Sequence, residues 1–333
     1  MDICDIAKLA GVSSATVSRV INGMNNVKPS TAERVHRVIA EAKFYPNNSA
    51  TILKRGKSLT YGLIIPDITN PFFSEFIRSF EHLMVERNRD MLMATTDFHP
   101  SRVQQSIRRM LIQRVDGVAL LASEIETEPI EALIHNRVPL VTMDRRLIGP
   151  GLSDVLIDYR TGMNEAIKHL KKLKHRRIGY IGGSIGPTIS DHHRSAFVEA
   201  MKDNNLKIEP ELIRSGNYRI PGGESAMADL LTVKPLPTAV VAANDLTAIG
   251  ALKIVQKKGF NVPRDISIIG LDDIELADIL QPPLTTLRLS RSDMAATFFK
   301  ALEALRAEPH LPGQQYSAET RLVIRGSTAI ACK

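Results

Sequence analysis

From residue 59 onward, short apolar runs alternate with stretches whose apolar positions recur every three or four residues. Runs at 61–65, 91–94, 118–121, 140–143 and 155–157 predict buried strands, and a second set follows at 178–181, 239–242, 266–269 and 322–324. Amphipathic segments at 72–87, 101–113, 161–173, 192–204, 223–232, 245–258 and 292–306 lie between them and predict helices. Near-continuous apolar strands separated by helices are the pattern of parallel sheets covered on both faces, so the predicted class is α/β, doubly wound. A series of this length suits two similar lobes better than one sheet, because single cores stop growing near ~250–300 residues.

The first 46 residues have helical periodicity only. Residues 5–10 predict a short helix with Ile6, Leu9 and Ala10 on one face. Gly11 closes it, Val12 plugs the turn, and Ser13 caps a second helix from Ser14 to Asn22. There Val17, Val20 and Ile21 form the buried stripe and Ser14, Ala15, Ser18, Arg19 and Asn22 the opposite face. A third helix is expected to open at Ser30, with Glu33 completing a capping box, and to lay Val35, Val38, Ile39 and Ala42 over the first two. The expected fold is a small all-α helix-turn-helix domain followed by a two-lobed α/β core.

Charge sharpens this division. Of the net +7, residues 1–58 hold nine Lys or Arg against four Asp or Glu, while the remaining 275 residues hold 34 against 32. A basic head on a near-neutral body fits a polyanion partner for the head, or simply a solvated basic surface. A face of small and polar residues with one arginine is what a helix entering the major groove needs. A content of 44% hydrophobic and 24% charged residues excludes disorder as the main state. No apolar run approaches the ~18 residues of a membrane span, and Met1-Asp2-Ile3-Cys4-Asp5 is no secretory signal. Cys4 and Cys332 give neither a disulfide framework nor a zinc site, so a reducing cytoplasm is expected. His192 and His193 are adjacent rather than i, i+4, a poor metal pair, and neither a metal nor a cofactor is expected.

Polar residues recur where the predicted strands end: Asp67, Asp144, Asp158, Asn244-Asp245 and Asp272-Asp273. In open α/β sheets ligands bind outside the carboxyl ends of the strands, so two facing lobes would gather these groups around one cleft. Each one is also placed to cap the helix that follows.

Residues Asp5 to Asn22, Asp-Ile-Ala-Lys-Leu-Ala-Gly-Val-Ser-Ser-Ala-Thr-Val-Ser-Arg-Val-Ile-Asn, strongly resemble the helix-turn-helix of the lactose/galactose-repressor family of bacterial transcription regulators. The run Tyr45-Pro46-Asn47 with Ala50 and Leu53 resembles it too. The resemblance implies that Ser14 and Ala15 read base edges, and that Thr16, Ser18, Arg19 and Asn22 contact bases or phosphates. Ser14 and Ala15 offer one hydroxyl and one methyl, which leaves Arg19 as base reader or phosphate clamp. Residues 47–58 would be a hinge that folds on the operator, with Leu53 wedged into the minor groove and Lys54, Arg55 and Lys57 near phosphates. The family's usual alanine–arginine pair before that leucine is replaced here by Thr51 and Ile52.

The body resembles the periplasmic-type sugar-binding core of the same family through Asp67-Ile68-Thr69-Asn70-Pro71-Phe72-Phe73, Val115-Asp116-Gly117, Ala243-Asn244-Asp245 and Gly270-Leu271-Asp272-Asp273. That implies a DNA-binding head (1–46), a hinge (47–58) and an effector-binding and dimerisation core (59–333). The core's N-lobe would take about 59–160 plus 291–320, and its C-lobe about 161–290 plus 321–333. The family's effector contacts fall on Phe72, Phe73, Asp144, Arg145, Asp158, Arg194, Tyr218, Asn244 and Asp272. Carboxylates, amides and an arginine fork suit paired hydroxyls. Phe72 or Tyr218 suits a ring face, and Phe72 and Phe73 equally suit a core. One motif departs from the family: Arg194-Ser195-Ala196-Phe197 is a residue short of the usual arginine-x-x-glycine-aromatic spacing. Either Arg194 shifts along the cleft or His193 takes its place. The expected effector is a sugar or sugar derivative, with Arg145 and Arg146 leaving room for an anionic one.

The rival readings are weaker. Gly182-Gly183-Ser184-Ile185-Gly186 fits the hydrolase pattern around a nucleophilic Ser184, but Pro187 follows and the sharp strand-to-helix elbow is missing. No Gly-x-Gly-x-x-Gly follows a strand, which disfavours a dinucleotide enzyme. A sugar-binding sensor without a regulatory role would not carry this head. The expectation is a non-enzymatic repressor, cytoplasmic and nucleoid-associated through DNA. It would bind a pseudo-palindromic double-stranded operator as a homodimer, with helix 72–87 in the dimer face and no coiled-coil tetramer.

Overall fold

The computed structural model describes residues 1–24, 26–45, 58–122, 127–183, 189–308 and 311–332. The chain divides into two units, Met1–Ser58 and Leu59–Lys333.

The first unit contains α1 (Ile3–Ala10), α2 (Ser14–Ile21) and α3 (Pro29–Glu41). Helix α1 starts earlier than its apolar spacing predicts because Asp2 caps it. The Asp2 carboxylate accepts from the N–H groups of Cys4 and Asp5, and Asp5 accepts from the N–H of Asp2. With the helix begun at Ile3, the buried stripe runs Ile3, Ile6, Ala7, Ala10, and Leu9 falls off it, 62% exposed. Gly11 sits at φ +61° and closes α1 in a left-handed turn. Helix α3 lacks the expected capping box: Pro29 takes the first turn, where its fixed φ suits a helix start, and Lys28 makes no side-chain cap. Val17, Val20 and Val35 join the α1 stripe in one small core.

The second unit opens with β1 (Thr60–Ile65), α4 (Pro71–Glu86), β2 (Asp90–Thr95), α5 (Pro100–Ile112) and β3 (Gly117–Leu120). Next come α6 (Thr127–His135), β4 (Leu140–Met143) and β5 (Leu152–Asp158). The other lobe follows with α7 (Tyr159–Lys172), β6 (Ile178–Gly182), α8 (Ile189–Asp203), β7 (Ile213–Ser215) and α9 (Ile220–Leu230). It continues through β8 (Ala239–Ala242), α10 (Asp245–Lys257), β9 (Ser267–Asp272), α11 (Glu275–Ile279) and β10 (Thr285–Leu289). Helix α12 (Arg291–Ala307) returns to pack on α4, β3, β4 and β5, and β11 (Gln315–Val323) is the last strand along the chain.

The two predicted sheets form one hydrogen-bonded run, β2-β1-β3-β4-β5-β11-β10-β9-β8-β6-β7. Strand β11 joins them by changing partners halfway. Gln315–Glu319 pair in parallel with β5, and Thr320–Val323 pair antiparallel with β10. Each lobe has the same order, with its first strand lying between the second and third, so each has a topological switch point: β1/β3 in one, β6/β8 in the other. The pattern reading missed β7, β10, α6 and α11. Strand β10 opens with Thr285 and Thr286, which are polar in sequence yet fully buried, their hydroxyls hydrogen-bonded inside.

Candidate functional site

In the first unit the exposed side of α2 carries Ser14, Ala15 and Arg19. The Arg19 guanidinium has no hydrogen bond or ion pair among the described residues. Two of the other expected contacts are tied into the helix itself. Thr16 Oγ1 lies 2.9 Å from Ser13 Oγ at the N-cap, and Asn22 donates to the Ser18 carbonyl at 2.6 Å and to Ser18 Oγ at 3.3 Å. Ser18 is half-buried. The face left for a partner is narrow: a hydroxyl, a methyl and an arginine, on a helix stiffened at both ends. Asn47, Ala50, Leu53, Lys54 and Arg55 lie outside the described residues, as does Ser184.

In the second unit a cavity opens at the carboxyl ends of β1, β3, β4, β8, β9 and β10, with about 620 Å³ of unfilled space, part of it open to solvent. Its aromatic wall holds Phe72, Phe73, Phe98, Tyr159 and Tyr218; Pro66, Leu121, Met143, Leu271 and Leu289 complete the apolar lining. Its polar lining is Asn70, His193, Asn244 and Asp272. Six of the sequence-predicted residues therefore meet here: Phe72, Phe73, His193, Tyr218, Asn244 and Asp272. Phe72 and Phe73, edge to face at 5.2 Å, also belong to the hydrophobic core, so each lines the cavity with one side and packs inside with the other.

Asn244 lines the cavity and also caps a helix. Its Oδ1 accepts from Thr247 N–H and caps α10, and its amide donates to the Tyr218 carbonyl. Asp245 is fully buried behind it, accepting from the Thr286 hydroxyl at 2.6 Å and the Ile274 N–H at 2.9 Å. Tyr218 sits at φ +60° and Asp272 at φ +117°, backbone that non-glycine residues seldom adopt and that sharp strand-end turns enforce. Gly183 makes room for Tyr218: a Cβ there would lie 2.1 Å from the ring.

The cavity lining does not include Asp144, Arg145, Asp158 or Arg194. Asp144 stands behind the wall, accepting from the Ile157 N–H at 2.7 Å and from the Tyr159 hydroxyl at 2.9 Å. Burial pushes its carboxyl up to about 7 against these two hydrogen bonds. Its role is to orient Tyr159, which does line the cavity. Asp158 caps α7 by accepting from Thr161. Arg145 is half-buried, its N–H held by buried Asp154. Of the two candidates on α8, Arg194 is exposed and His193 faces the cavity. The spacing of the motif explains the choice: one residue fewer before Phe197, whose ring stacks on Tyr180 in the core, turns the arginine outward. Burial holds His193 neutral, pushed down to about 3. Asp272 is driven the other way, its carboxyl raised well above the usual range by burial and then by Asp245.

Beside the cavity an ion cluster joins the two lobes. Arg219 donates to Asp67 at 3.0 Å and to Asp97 at 2.7 Å, with its guanidinium 5.8 Å from the Phe98 ring. Burial works to raise Asp67, but hydrogen bonds from Thr69 and Arg219 hold it below the usual carboxylate range. Asn70, Tyr159, Phe98, Arg219 and Asp154 were not picked out from sequence. The signal for Tyr159 and Asn70 was present: each is next to a marked strand-end residue or motif. Arg219 pairs with residues more than 120 positions away, which no local pattern encodes. Among the described residues no group of His, Cys, Asp or Glu is arranged to hold a metal, and no helix is long and apolar enough to cross a membrane.

Comparison with known proteins places both units. Residues 2–47 match the model for bacterial regulatory proteins of the lacI family, and residues 167–328 match that for a periplasmic binding protein-like domain. Over nearly the whole chain it is 32% identical to the HTH-type transcriptional repressor PurR of Actinobacillus pleuropneumoniae (98% of this chain, 97% of the relative). It is also 32% identical to the ribose operon repressor of Haemophilus influenzae (94% and 93%). Among solved structures, the transcriptional regulator CelR in complex with cellobiose superposes with a TM-score of 0.74 at 28% identity, covering 98% of this chain and 99% of that one. The lac repressor dimer bound to operator and the anti-inducer ONPF reaches 0.88 at 24% identity, covering 99% of each chain, and there the likeness is one of fold. The chain belongs to the lacI family of bacterial regulatory proteins: it is a cytoplasmic, DNA-binding transcriptional repressor and not an enzyme.

Proposed function

We propose that this repressor reads a pseudo-palindromic operator with Ser14, Ala15 and Arg19 of α2 from each copy, while Thr16, Ser18 and Asn22 stiffen that helix beside the phosphates. Residues 1–46 form the reader and 47–58 the hinge, with Leu53 as minor-groove wedge and Asn47, Ala50, Lys54 and Arg55 around it. Residues 59–333 form the sensor, with lobes of about 59–160 plus 291–320 and about 161–290 plus 321–333. Bound to DNA, the dimer resides on the nucleoid.

The cavity takes a small polar effector of the sugar type. The ribose operon repressor and the cellobiose complex among its relatives support that class, as does a wall that pairs aromatic faces with His193, Asn244 and Asp272. Effector binding changes the angle between the lobes and so the spacing of the hinges, with a coupling of about 1–3 kcal/mol. The observation that carries the DNA-reading half is Arg19: an exposed guanidinium on a capped helix, engaged by no described group of the protein. Selection of random duplex DNA by the full chain tests it. The expected product is an inverted repeat whose half-sites lie about one helical turn apart; recovery of DNA without a shared motif contradicts it.

A further inference from the structure

Most polar atoms on the cavity wall already have partners inside the protein. Asn70 Oδ1 accepts from the Phe72 N–H, Asn244 is engaged at both ends, and the Tyr159 hydroxyl donates to Asp144. Two groups differ. His193 is 5% exposed and neither ring nitrogen has a hydrogen-bond partner; its ring is held edge-on between Tyr159, 4.2 Å away, and Tyr218, 6.0 Å away. The Asp272 carboxyl, 8% exposed, makes no hydrogen bond or ion pair among the described residues.

A neutral imidazole has one N–H and one lone pair, so a buried ring with both unmet is matched by a ligand edge that accepts and donates. A carboxyl in the same wall is matched by donors. Free positive charge is missing: among the described residues no Lys or Arg side chain lines the cavity, and Arg291, which acts on the Asp272 carboxyl from behind, is already engaged by Glu75 and by the Asp272 and Asp273 carbonyls. Arg219, beside Phe98, is engaged by Asp67 and Asp97, and Asp144 stands directly behind Tyr159. An anion placed here would lose its water without gaining a counter-charge, next to carboxyl groups. Burial keeps His193 from supplying that charge.

We propose that His193 and Asp272 are specificity-determining residues that restrict the effector to uncharged molecules and exclude sugar acids and sugar phosphates. This rests on the cavity being the effector site.

The test is calorimetric titration of the full chain with matched pairs: D-ribose and D-ribose 5-phosphate, D-glucose and D-glucose 6-phosphate, D-galactose and D-galacturonate, adenosine and its 5′-monophosphate. The expected result is binding by an uncharged member, at least about ten-fold tighter than by its charged counterpart. His193→Gln, which keeps a donor and an acceptor, retains that preference, and His193→Arg reverses it. Tighter binding of a charged member to the unaltered chain, or binding by no uncharged member, overturns the inference. The variant Phe73→Ala separates the two readings. If the charged member wins and its binding is lost in Phe73→Ala, the cavity stands as the effector site and only the charge rule fails. If uncharged binding is unchanged in both Phe73→Ala and Asp272→Ala, the cavity is not the site and both readings fail.

Discussion

The two recognition surfaces of this chain are built on opposite principles. On α2 of the head the polar groups near the reading face are satisfied locally: Ser13 with Thr16, and Asn22 with Ser18, all within four residues. What remains is the Ser14 hydroxyl and a single long cation, both in solvent. In the cavity the polar groups are buried, and the side chains of two of them, His193 and Asp272, have no hydrogen-bond partner among the described residues. A head that reads DNA in the proposed way loses little when unbound, because water solvates Arg19. The cavity withholds water from groups that need partners, so an empty site is under-satisfied and a ligand that matches it is selected. Salt-dependent attraction belongs to the first surface and fine chemical choice to the second.

The largest effect that separates them falls on Arg19. A bidentate contact to a base is worth about 1–3 kcal/mol of discrimination, and a dimer makes it twice. Arg19→Ala is therefore expected to reduce preference for the selected operator over random DNA by at least about ten-fold, with a much smaller loss on random DNA. Fluorescence anisotropy with each DNA reads this directly. Equal losses on both would make Arg19 a phosphate clamp and leave discrimination to Ser14 and Ala15.

A smaller effect falls on Asp144, on the cavity side. A carboxyl whose folded-state value is raised from 3.8 to about 7 binds its proton more tightly in the folded chain. Its contribution to stability is fully present below the unfolded value and is lost as pH rises toward 7. In Asp144→Asn that loss disappears. The melting temperature of the variant relative to the unaltered chain is expected to climb between pH 4 and pH 8, then level off. A difference that stays flat across that range would mean that Asp144 is ionised in the fold and holds Tyr159 by charge.

The head was more legible than the cavity for the same reason that the two differ. Its caps, turn glycine and buried stripe are local, so sequence spacing encodes them. The errors there, Leu9 and the start of α3, came from helix ends that Asp2 and Pro29 move by a few residues. The strand ends that form the cavity were legible as a row of polar residues. Which of them face inward depends on partners far along the chain. Asp144 lies behind the wall because Tyr159 and Ile157 meet it, and Asp158 is taken by its own helix start. The choice between His193 and Arg194 needed the packing of Phe197 against Tyr180. Strand β11 was seen only at its end, because its first half alternates exposed and half-buried residues and pairs with a different lobe.

In the proposed mechanism, occupancy of the cavity governs the head. The direct measurement is the affinity of the full-length dimer for its selected operator, with and without a saturating uncharged effector, in the unaltered chain and in Asp272→Ala. The expected result is a shift of about 5–150-fold in the unaltered chain, equivalent to about 1–3 kcal/mol of coupling, and none in the variant. An operator affinity that a cavity-bound ligand leaves unmoved, or a shift of equal size in both proteins, would contradict it.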